Sequence, residues 1–486
     1  MTDTNPIALL PLDNRPISYL LPKQIAEFSG TCLILPERKF LGDLNKRSDL
    51  NYMEQWLNGF CRDGVTPSLL IISLDNWVYG GLIQSRKHSY TLDDLKQRVE
   101  KLKQFKKTKY GFSSIMRIAN YNSSEEEKDY WKDYGKKIFC WSGIMHKVGR
   151  GIKEGYSSHE ELLEQWYASS KEIPTNVLAD YKAHRDKNFT INLMWLESLH
   201  EHSFEHLIFS CDDSSKYGMN VVEAEYLNKE ISKHNFKKSS KVISGIDEIS
   251  LVLLTKVILE KSEIKPTVSP YFSSIEGKNH FAKYESNTIY KSVLDQIETV
   301  GLKVQDFNDS DICVCVHLAD SVQGDHVFAE KPSSTSKNVE SIIKLLEETN
   351  KPFILIDLAY ANGADPNLID ALINAKINWG NCYGYSAWNT CSNSIGSALA
   401  IGINRWIAEK KGNLNEKEFK KCLLIRFLDD YAYQTVIRHP QVTEEEINTK
   451  IKPCAQIFSK ILALSDINIK CTLPWGRSFE VEIDVL

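Results

Sequence analysis

Residues 68–81 read SLLIISLDNWVYGG, a short apolar run followed directly by polar residues and two glycines. The run Ser68–Ser73 is rich in aliphatic and β-branched side chains, so an extended strand here would be apolar on both faces. Strands of this kind belong to parallel sheets that helices cover on each side. The stretch therefore predicts a buried strand whose carboxyl end opens into a loop near Asp75.

The same pattern recurs along most of the chain, with helical stretches such as Ile249–Lys261 between the runs. This alternation predicts an α/β fold with right-handed crossovers. A (β/α) barrel-like parallel sheet suits about eight strands. Two doubly wound sheets, for example over residues 1–240 and 241–410, are the alternative. The other apolar runs are Ile7–Leu10, Cys32–Leu35, Ser113–Ile118, His206–Ser210, Lys241–Ser244, Asp311–His317 and Phe353–Ile356.

The chain is predicted to form one main domain and a C-terminal region. We expect an α/β catalytic domain over residues 1–410, with a mainly helical insertion at about residues 125–202. Residues 411–486 are predicted to form a helical region that packs on this domain and ends in an extended segment, Val481–Leu486. No internal repeat or low-complexity tract divides the chain further.

Composition narrows the class of partner. The 486 residues carry a net charge of −5, which gives no general attraction to nucleic acid or to an anionic membrane surface. No run approaches the roughly 18 apolar residues of a membrane span, and the N-terminus lacks the features of a signal peptide. The eleven cysteines include no C-x-x-C pair, which favours a reducing compartment. We expect a cytoplasmic protein whose partner is a small-molecule or carbohydrate substrate, in an oligomeric state that the sequence does not indicate.

Acidic residues follow several predicted strands at their carboxyl ends, where parallel α/β folds bind ligands. The most informative pair is Asp212-Asp213, and Asp247-Glu248 repeats it after the next run. Two close carboxylates raise one another's pKa, which leaves one protonated as a general acid. These four residues are the catalytic candidates: Asp213 as acid/base, Asp212 as its partner, and Asp247 or Glu248 as the second carboxylate. Any single aspartate in such a place could instead cap a helix or close a turn.

Arginines and amides also follow the predicted strands. Guanidinium groups suit carboxylate and phosphate, so Arg15, Arg86 and Arg117 are predicted to bind an anionic or hydroxyl-rich part of a substrate, or else to neutralise a buried aspartate. The segment Tyr383–Gly396 mixes aromatic rings with Asn, Ser and Thr, which favours a sugar-like ligand. The other predicted substrate-binding residues are Asp13, Asp75, Tyr79, Tyr217, Asp357, Asn362, Asp365, Trp388, Asn389 and Asn393.

Five short segments in combination are typical of a known family. They are PLDNRP at residues 11–16, YGGLIQSR at 79–86, NGAD at 362–365, WNTCSN at 388–393 and PWGRSFE at 474–480. Through them the chain resembles, over nearly its whole length, a bacterial family classified as a domain of unknown function. The resemblance implies one family unit rather than a fusion, and it supplies no reaction.

A fainter similarity is to glycoside hydrolases that act on N-acetylhexosaminides, in which an adjacent acidic pair ends a mid-barrel strand. It implies that one carboxylate of Asp212-Asp213 orients an acetamido group and that the other serves as acid/base. It also implies that Asn362, Asp365, Tyr217 or Trp388 line a sugar subsite.

These observations predict a carbohydrate-active hydrolase that cleaves a glycosidic bond with two carboxyl groups, on an acidic or N-acetylated sugar. No nucleotide-binding glycine motif and no G-x-S-x-G is present, and no cofactor is expected. One alternative is a metal-dependent hydrolase or lyase in which strand-end aspartates hold Mg²⁺ or Mn²⁺. In that alternative the metal ligands would be Asp13, Asp75, Asp212 and Asp357. A second alternative is a non-catalytic protein that binds a small polar ligand.

Overall fold

The computed structural model describes residues 6–60 and 66–486. Its strands form two parallel sheets and two small two-stranded ones. The strands are β1 (Ile7–Leu10), β2 (Leu33–Ile34), β3 (Leu69–Ser73), β4 (Lys109–Ile115), β5 (His206–Cys211), β6 (Ser240–Ser244), β7 (Thr267–Phe272), β8 (Lys303–Val304), β9 (Ile312–His317), β10 (Gly324–Asp325), β11 (Phe353–Asp357), β12 (Tyr360–Ala361), β13 (Cys382–Ser386), β14 (Ile469–Thr472) and β15 (Glu482–Val485).

Helices connect the strands and cover the sheets. Two further segments, Pro16–Leu20 and Leu428–Ile437, are π-helices that precede α1 and follow α15. The α-helices are α1 (Leu21–Ser29), α2 (Leu50–Gly59), α3 (Leu74–Tyr79), α4 (Leu82–Lys87), α5 (Leu92–Lys103), α6 (Trp131–Arg150), α7 (His159–Lys171), α8 (Thr175–Glu197), α9 (Met219–Lys233), α10 (Ile249–Glu260), α11 (Ile289–Val300), α12 (Ser336–Glu348), α13 (Pro366–Asn374), α14 (Cys391–Lys411), α15 (Glu416–Phe427), α16 (Glu444–Lys450) and α17 (Lys452–Ile461).

The two parallel sheets repeat one topology. The first sheet has six strands in the order β2-β1-β3-β4-β5-β6, and the second has five in the order β8-β7-β9-β11-β13. In each sheet the second strand, β2 or β8, lies on one side of the first strand, and all later strands lie on its other side. This is the doubly wound order. Both sheets are parallel throughout, with Ile7 beside Leu69 in the first and Val268 beside Ile312 in the second.

The predicted α/β class with parallel strands is confirmed, and the arrangement is the alternative one of two doubly wound sheets. Among the described strands no closed barrel forms, because β7 pairs with β8 and β9 instead of continuing from β6. The helix between them, α10, is mostly apolar, with ten of its twelve residues buried, and it packs against α1, α11 and α14. A helix with so much apolar surface requires burial on most sides, so it lies between the sheets. The division follows β6, since Ser240–Ser244 still pairs with β5.

Three strands of the second sheet, β7, β8 and β13, were absent from the sequence-based prediction. Strand β7 contains Pro270, which counts against a strand because proline has no N–H to donate. It is accommodated because β8 pairs only with Thr267 and Val268, so no strand borders that edge at Pro270 in the described part of the chain. Strand β13 overlaps the start of the segment that was predicted to contact a sugar, and its five residues are buried.

The remaining segments extend the first sheet and the C-terminus. Helices α6 to α8 lie between β4 and β5, inside the predicted insertion. Helices α15 to α17 are followed by the antiparallel pair β14 and β15. None of the helices that the structure describes has the length and apolar character needed to cross a membrane.

Candidate active site

A cavity of about 740 Å³ lies where the loops that follow the strands of both sheets meet. Convergence at this edge follows from the parallel topology, because the carboxyl ends of all strands of a sheet lie on one side. The C-terminal region closes the remaining wall. The polar and aromatic residues that line the cavity as a whole are Arg15, Arg86, Arg117, Tyr121, Ser123, Glu125, Glu126, Asp212, Asp213, Asp247, Tyr284, His326, Phe328, Asn362, Asn389, Gln434, Arg438, His439, Arg477, Ser478 and Phe479.

The adjacent carboxylates Asp212 and Asp213 diverge at the end of β5. Asp213 has a φ of 29°, which lies in the left-handed region that non-glycine residues seldom adopt. The carboxylate of Asp212 accepts a hydrogen bond from Arg86 Nη2 at 2.6 Å, and that of Asp213 accepts one from Arg117 Nη1 at 2.6 Å. The turn therefore sends the two side chains to different guanidinium groups while both still face the cavity.

Asp213 has the electrostatic environment of a proton donor. Burial and the neighbouring charge of Asp212 raise the pKa of Asp213 to about 7, although Arg117 and Arg86 act in the opposite direction. Its side chain is still 24% exposed, so it is accessible from the cavity. A carboxyl group with such a pKa is partly protonated at neutral pH, which is what general acid catalysis needs.

A network of charges holds the arginines next to this pair. Glu126 accepts from Arg86 Nη1 at 3.0 Å and from Arg117 Nη2 at 2.7 Å, and it also pairs with Arg477. Although burial works against its charge, these three guanidinium groups hold the pKa of Glu126 well below its usual range. Glu127 accepts from Arg117 Nε at 2.8 Å. Arg86 and Arg117 are therefore fixed in place and largely neutralised.

Arg15 is the centre of a second cluster of charges at the cavity. It donates through Nε to Asp13 at 2.8 Å and through Nη1 to Glu480 at 3.1 Å, and its Nη2 pairs with Asp247. Burial raises the pKa of Glu480 to about 7 despite the charge of Arg15. Asn389 Nδ2 lies 3.4 Å from the second oxygen of Asp247. This cluster joins the first sheet, the second sheet and the C-terminal segment.

The structure brings some of the predicted site residues to the cavity and leaves others in the interior or at the surface. Arg15, Arg86, Arg117, Asp212, Asp213, Asp247, Asn362 and Asn389 line it. Asn393 lies behind Asp247, with its Nδ2 3.4 Å from that carboxylate, and Asp13 supports Arg15. The residues away from the cavity wall are Asp75, Tyr79, Tyr217, Glu248, Asp357, Asp365 and Trp388.

The predicted residues away from the wall have packing or hydrogen-bonding partners elsewhere. Asp75 accepts from the backbone and the hydroxyl of Ser114, and Glu248 accepts from Gln296 at 2.6 Å. Tyr79 stacks on His88, and Tyr217 bonds to Glu154 near the surface. Trp388 is buried, with its ring 6.5 Å from that of Phe479. Asp357 accepts from the backbone N–H of Asp365, which in turn caps α13 and contacts His317.

Sequence reasoning missed the wall that the C-terminal region provides. Arg438 follows a π-helix and has no strand before it, so no local pattern marks it. Arg477 and Phe479 belong to the segment PWGRSFE, which was quoted only for its resemblance to a family. The missed polar and aromatic residues also include Tyr121, Glu125, Glu126, Tyr284, His326, Phe328, Gln434 and His439.

Comparison with known proteins identifies the family. A family model described as a protein of unknown function, DUF4127, matches residues 7–484. The chain belongs to this family. The prediction of a family of unknown function that spans nearly the whole chain is therefore confirmed, whereas no curated protein and no solved structure matches the chain.

The segments through which this family was predicted surround the cavity. Each of the five contributes at least one residue to the wall. Segments that are far apart in sequence thus converge on one site in this family member. The contributing residues are Arg15, Leu82, Ile83, Arg86, Asn362, Asn389, Gly476, Arg477, Ser478 and Phe479.

The predicted metal ligands are not assembled into one group. Asp13 and Asp212 are paired with Arg15 and Arg86, while Asp75 is bonded to Ser114. Asp357 is bonded to backbone N–H groups of the second sheet. Within residues 6–60 and 66–486, no three His, Cys, Asp or Glu side chains form a group that could hold a metal ion.

Proposed function

We propose that the protein hydrolyses a glycosidic bond of a small carbohydrate, with Asp213 as the acid/base and Asp247 as the second carboxyl group. The observation that carries this proposal is the carboxylate pair at the end of β5, which faces the cavity and in which Asp213 has a pKa of about 7. Glycoside hydrolysis needs one carboxyl group that can donate a proton and a second that acts on the anomeric carbon or on water.

Each group in the cavity has a role in this reaction. Asp213 gives its proton to the leaving oxygen as the glycosidic bond breaks. Burial, together with the nearby charge of Asp212, keeps Asp213 partly protonated at neutral pH. Asp247, whose charge Arg15 balances, either forms the new bond to the anomeric carbon itself or takes a proton from the water molecule that does so. Arg86 and Arg117 fix the direction of the acidic pair, so their role is positioning. Glu248, the other candidate for the second carboxylate, has no part because it lies buried beside Gln296.

The lining also suits a sugar. The amides of Asn362, Asn389 and Gln434 can donate to and accept from hydroxyl groups, and the rings of Phe479 and Tyr284 offer apolar surfaces. The volume of about 740 Å³ falls within the range of small-molecule pockets, roughly 300–1,000 Å³.

The test is a screen of the purified protein against chromogenic glycosides, neutral and acidic, with EDTA and with Mn²⁺ in parallel wells. We expect turnover that persists in EDTA and falls by about 10²–10⁴-fold in Asp213→Asn. On the substrate found, kcat/KM should decline as pH rises above about 7, because Asp213 then loses the proton it must donate.

The matched control is Asp320→Asn, an aspartate that follows β9 but does not line the cavity and accepts from Asn338 at 2.8 Å. Its turnover should equal that of the wild type. Turnover that requires Mn²⁺ would contradict the proposal in favour of the metal-dependent alternative. Ligand binding without any turnover, unchanged in Asp213→Asn, would favour a binding protein instead.

A further inference from the structure

Two arginines of the C-terminal region line the cavity and flank one aromatic ring. Arg438 follows the π-helix Leu428–Ile437, and Arg477 lies between β14 and β15. Their guanidinium carbons lie 5.1 Å and 4.9 Å from the centre of the Phe479 ring. Cations placed over a ring in this way gain from its quadrupole and are held in a fixed orientation. The two guanidinium groups are therefore presented together at one wall.

These two arginines differ in their partners from the three at the edge of the first sheet. Arg15, Arg86 and Arg117 each pair with several carboxylates. Among the described residues, the carboxylate partner of Arg477 is Glu126, which it shares with Arg86 and Arg117. The arginines predicted from the sequence to bind an anion are thus already occupied by the protein's own carboxylates.

Arg438 has the least compensated charge of the group. Its Nη1 donates to Gln434 Oε1 at 2.7 Å, and it has no carboxylate partner within ion-pair distance in the described part of the chain. Burial, together with the neighbouring guanidinium of Arg477, lowers the pKa of Arg438 despite the opposing influence of Tyr433 and of the more distant carboxylates of Asp325 and Asp429. A partly buried cation without a counterion is costly, and an oxyanion in the cavity would remove that cost.

We propose that Arg438 and Arg477 form an anion subsite of this cavity, which binds an oxyanion group, carboxylate or phosphate, carried by the substrate. Guanidinium forks suit both groups, because two parallel N–H donors match two oxygens. This inference rests on the proposed function, which makes the substrate a sugar. The subsite assigns that substrate to the acidic or phosphorylated sugars.

The first experiment measures binding without turnover, on the full-length protein. Inorganic phosphate and glucuronate serve as the charged probes, and glucose serves as the uncharged one. We expect the wild type to bind at least one charged probe more tightly than glucose. Arg438→Gln and Arg477→Gln should each raise the Kd of that charged probe about tenfold or more, since each substitution removes a charge-assisted pair of hydrogen bonds.

Two further variants control for folding and for charge. Arg150→Gln removes an exposed arginine that also has one carboxylate partner, Glu225, and it should leave the Kd unchanged. Arg438→Lys keeps the charge without the fork, and its Kd should lie between those of the wild type and Arg438→Gln. Equal thermal unfolding of the variants and the wild type would establish that the losses come from the site.

The outcomes separate this subsite from the proposed hydrolysis. Charged-probe binding that depends on Arg438 and persists in Asp213→Asn supports the subsite even if no glycoside is turned over. Tighter binding of phosphate indicates a phosphorylated substrate, and tighter binding of glucuronate indicates a carboxylated one. Equal Kd values for glucose and both charged probes, or a Kd unaffected in Arg438→Gln, would overturn the subsite while leaving a hydrolase of neutral sugars intact.

Discussion

The two parallel sheets share a strand order, but different groups follow their strands. The first sheet contributes charged groups to the cavity, and the Asp213 side chain there is 24% exposed. The second contributes amides and aromatic rings, while Asp357 and Asp365 at its own strand ends have no exposed surface. The π-helix Leu428–Ile437 packs on α13 at this second edge, where the carbonyl of Asp430 accepts from the N–H of Ala364. An aspartate after a strand thus becomes a candidate for chemistry only where the cavity reaches it, as it does at Asp213 and Asp247.

The sharpest test of this difference compares one carboxylate from each edge. Asp247→Asn should lower kcat/KM by about 10²–10⁴-fold, because it removes the second carboxyl group of the proposed reaction. Asp365→Asn should leave kcat/KM within about twofold and lower the free energy of unfolding instead, since Asp365 contacts His317 at 3.0 Å and caps α13. Steady-state kinetics and urea unfolding of both variants measure the contrast. A folded Asp365→Asn protein without activity would contradict it.

The π-helix Leu428–Ile437 covers the edge of the second sheet, and this cover should depend on Asp430. Its carboxylate accepts from Ser386 at 3.0 Å, from the N–H of Ala387 at 2.7 Å and from Arg426 at 3.2 Å. Asp430→Ala leaves these buried donors without their acceptor and should lower the free energy of unfolding by about 2–4 kcal/mol. Asp370→Ala, on an exposed position of α13, should change it by less than about 0.5 kcal/mol. Similar urea midpoints for the two variants would show that the cover does not depend on this carboxylate.

The cluster around Arg15 should give the stability of the protein a pH dependence. Burial raises the pKa of Glu480 from its ordinary 4.5 to about 7. As pH rises, Glu480 therefore loses its carboxyl proton at a lower pH in the unfolded chain than in the folded one. The contribution of Glu480 to folding is therefore greatest below pH 4.5 and is lost as pH rises toward 7. In Glu480→Gln, the loss of stability between pH 5 and pH 8 should be smaller by on the order of 1–3 kcal/mol. Urea unfolding at both pH values, with an unchanged difference in the variant, would refute this assignment.

The smallest effect concerns the backbone that separates the acidic pair. Asp213→Gly and Asp213→Ala both remove the carboxylate, but only glycine is free of strain at a φ of 29°. The glycine variant should be more stable than the alanine variant by about 1 kcal/mol. Equal stability, measured by thermal or urea unfolding, would mean that the chain at Asp213 is not left-handed in solution.

Part of the site was predictable because it follows from local pattern. Parallel strands are apolar on both faces and are followed by polar loops, so Asp212, Asp213, Asp247 and the three arginines were found from their position after apolar runs. The same rule also selected Asp357 and Asp365, which the structure buries. The rule identifies strand ends, and burial depends on segments that pack there from elsewhere in the chain.

The sequence by itself determined the α/β class, the parallel strands and the pool of polar residues at their ends, because these depend on short runs of side chains. The tertiary structure decided that the strands form two sheets, because the burial of α10 and the pairing of β7 are long-range choices. It also decided which carboxylates face the cavity and brought Arg438 and Arg477 to the same wall. Those contacts join residues that are tens to hundreds of positions apart, from Arg438 with Phe479 to Arg477 with Glu126, and no local pattern encodes them.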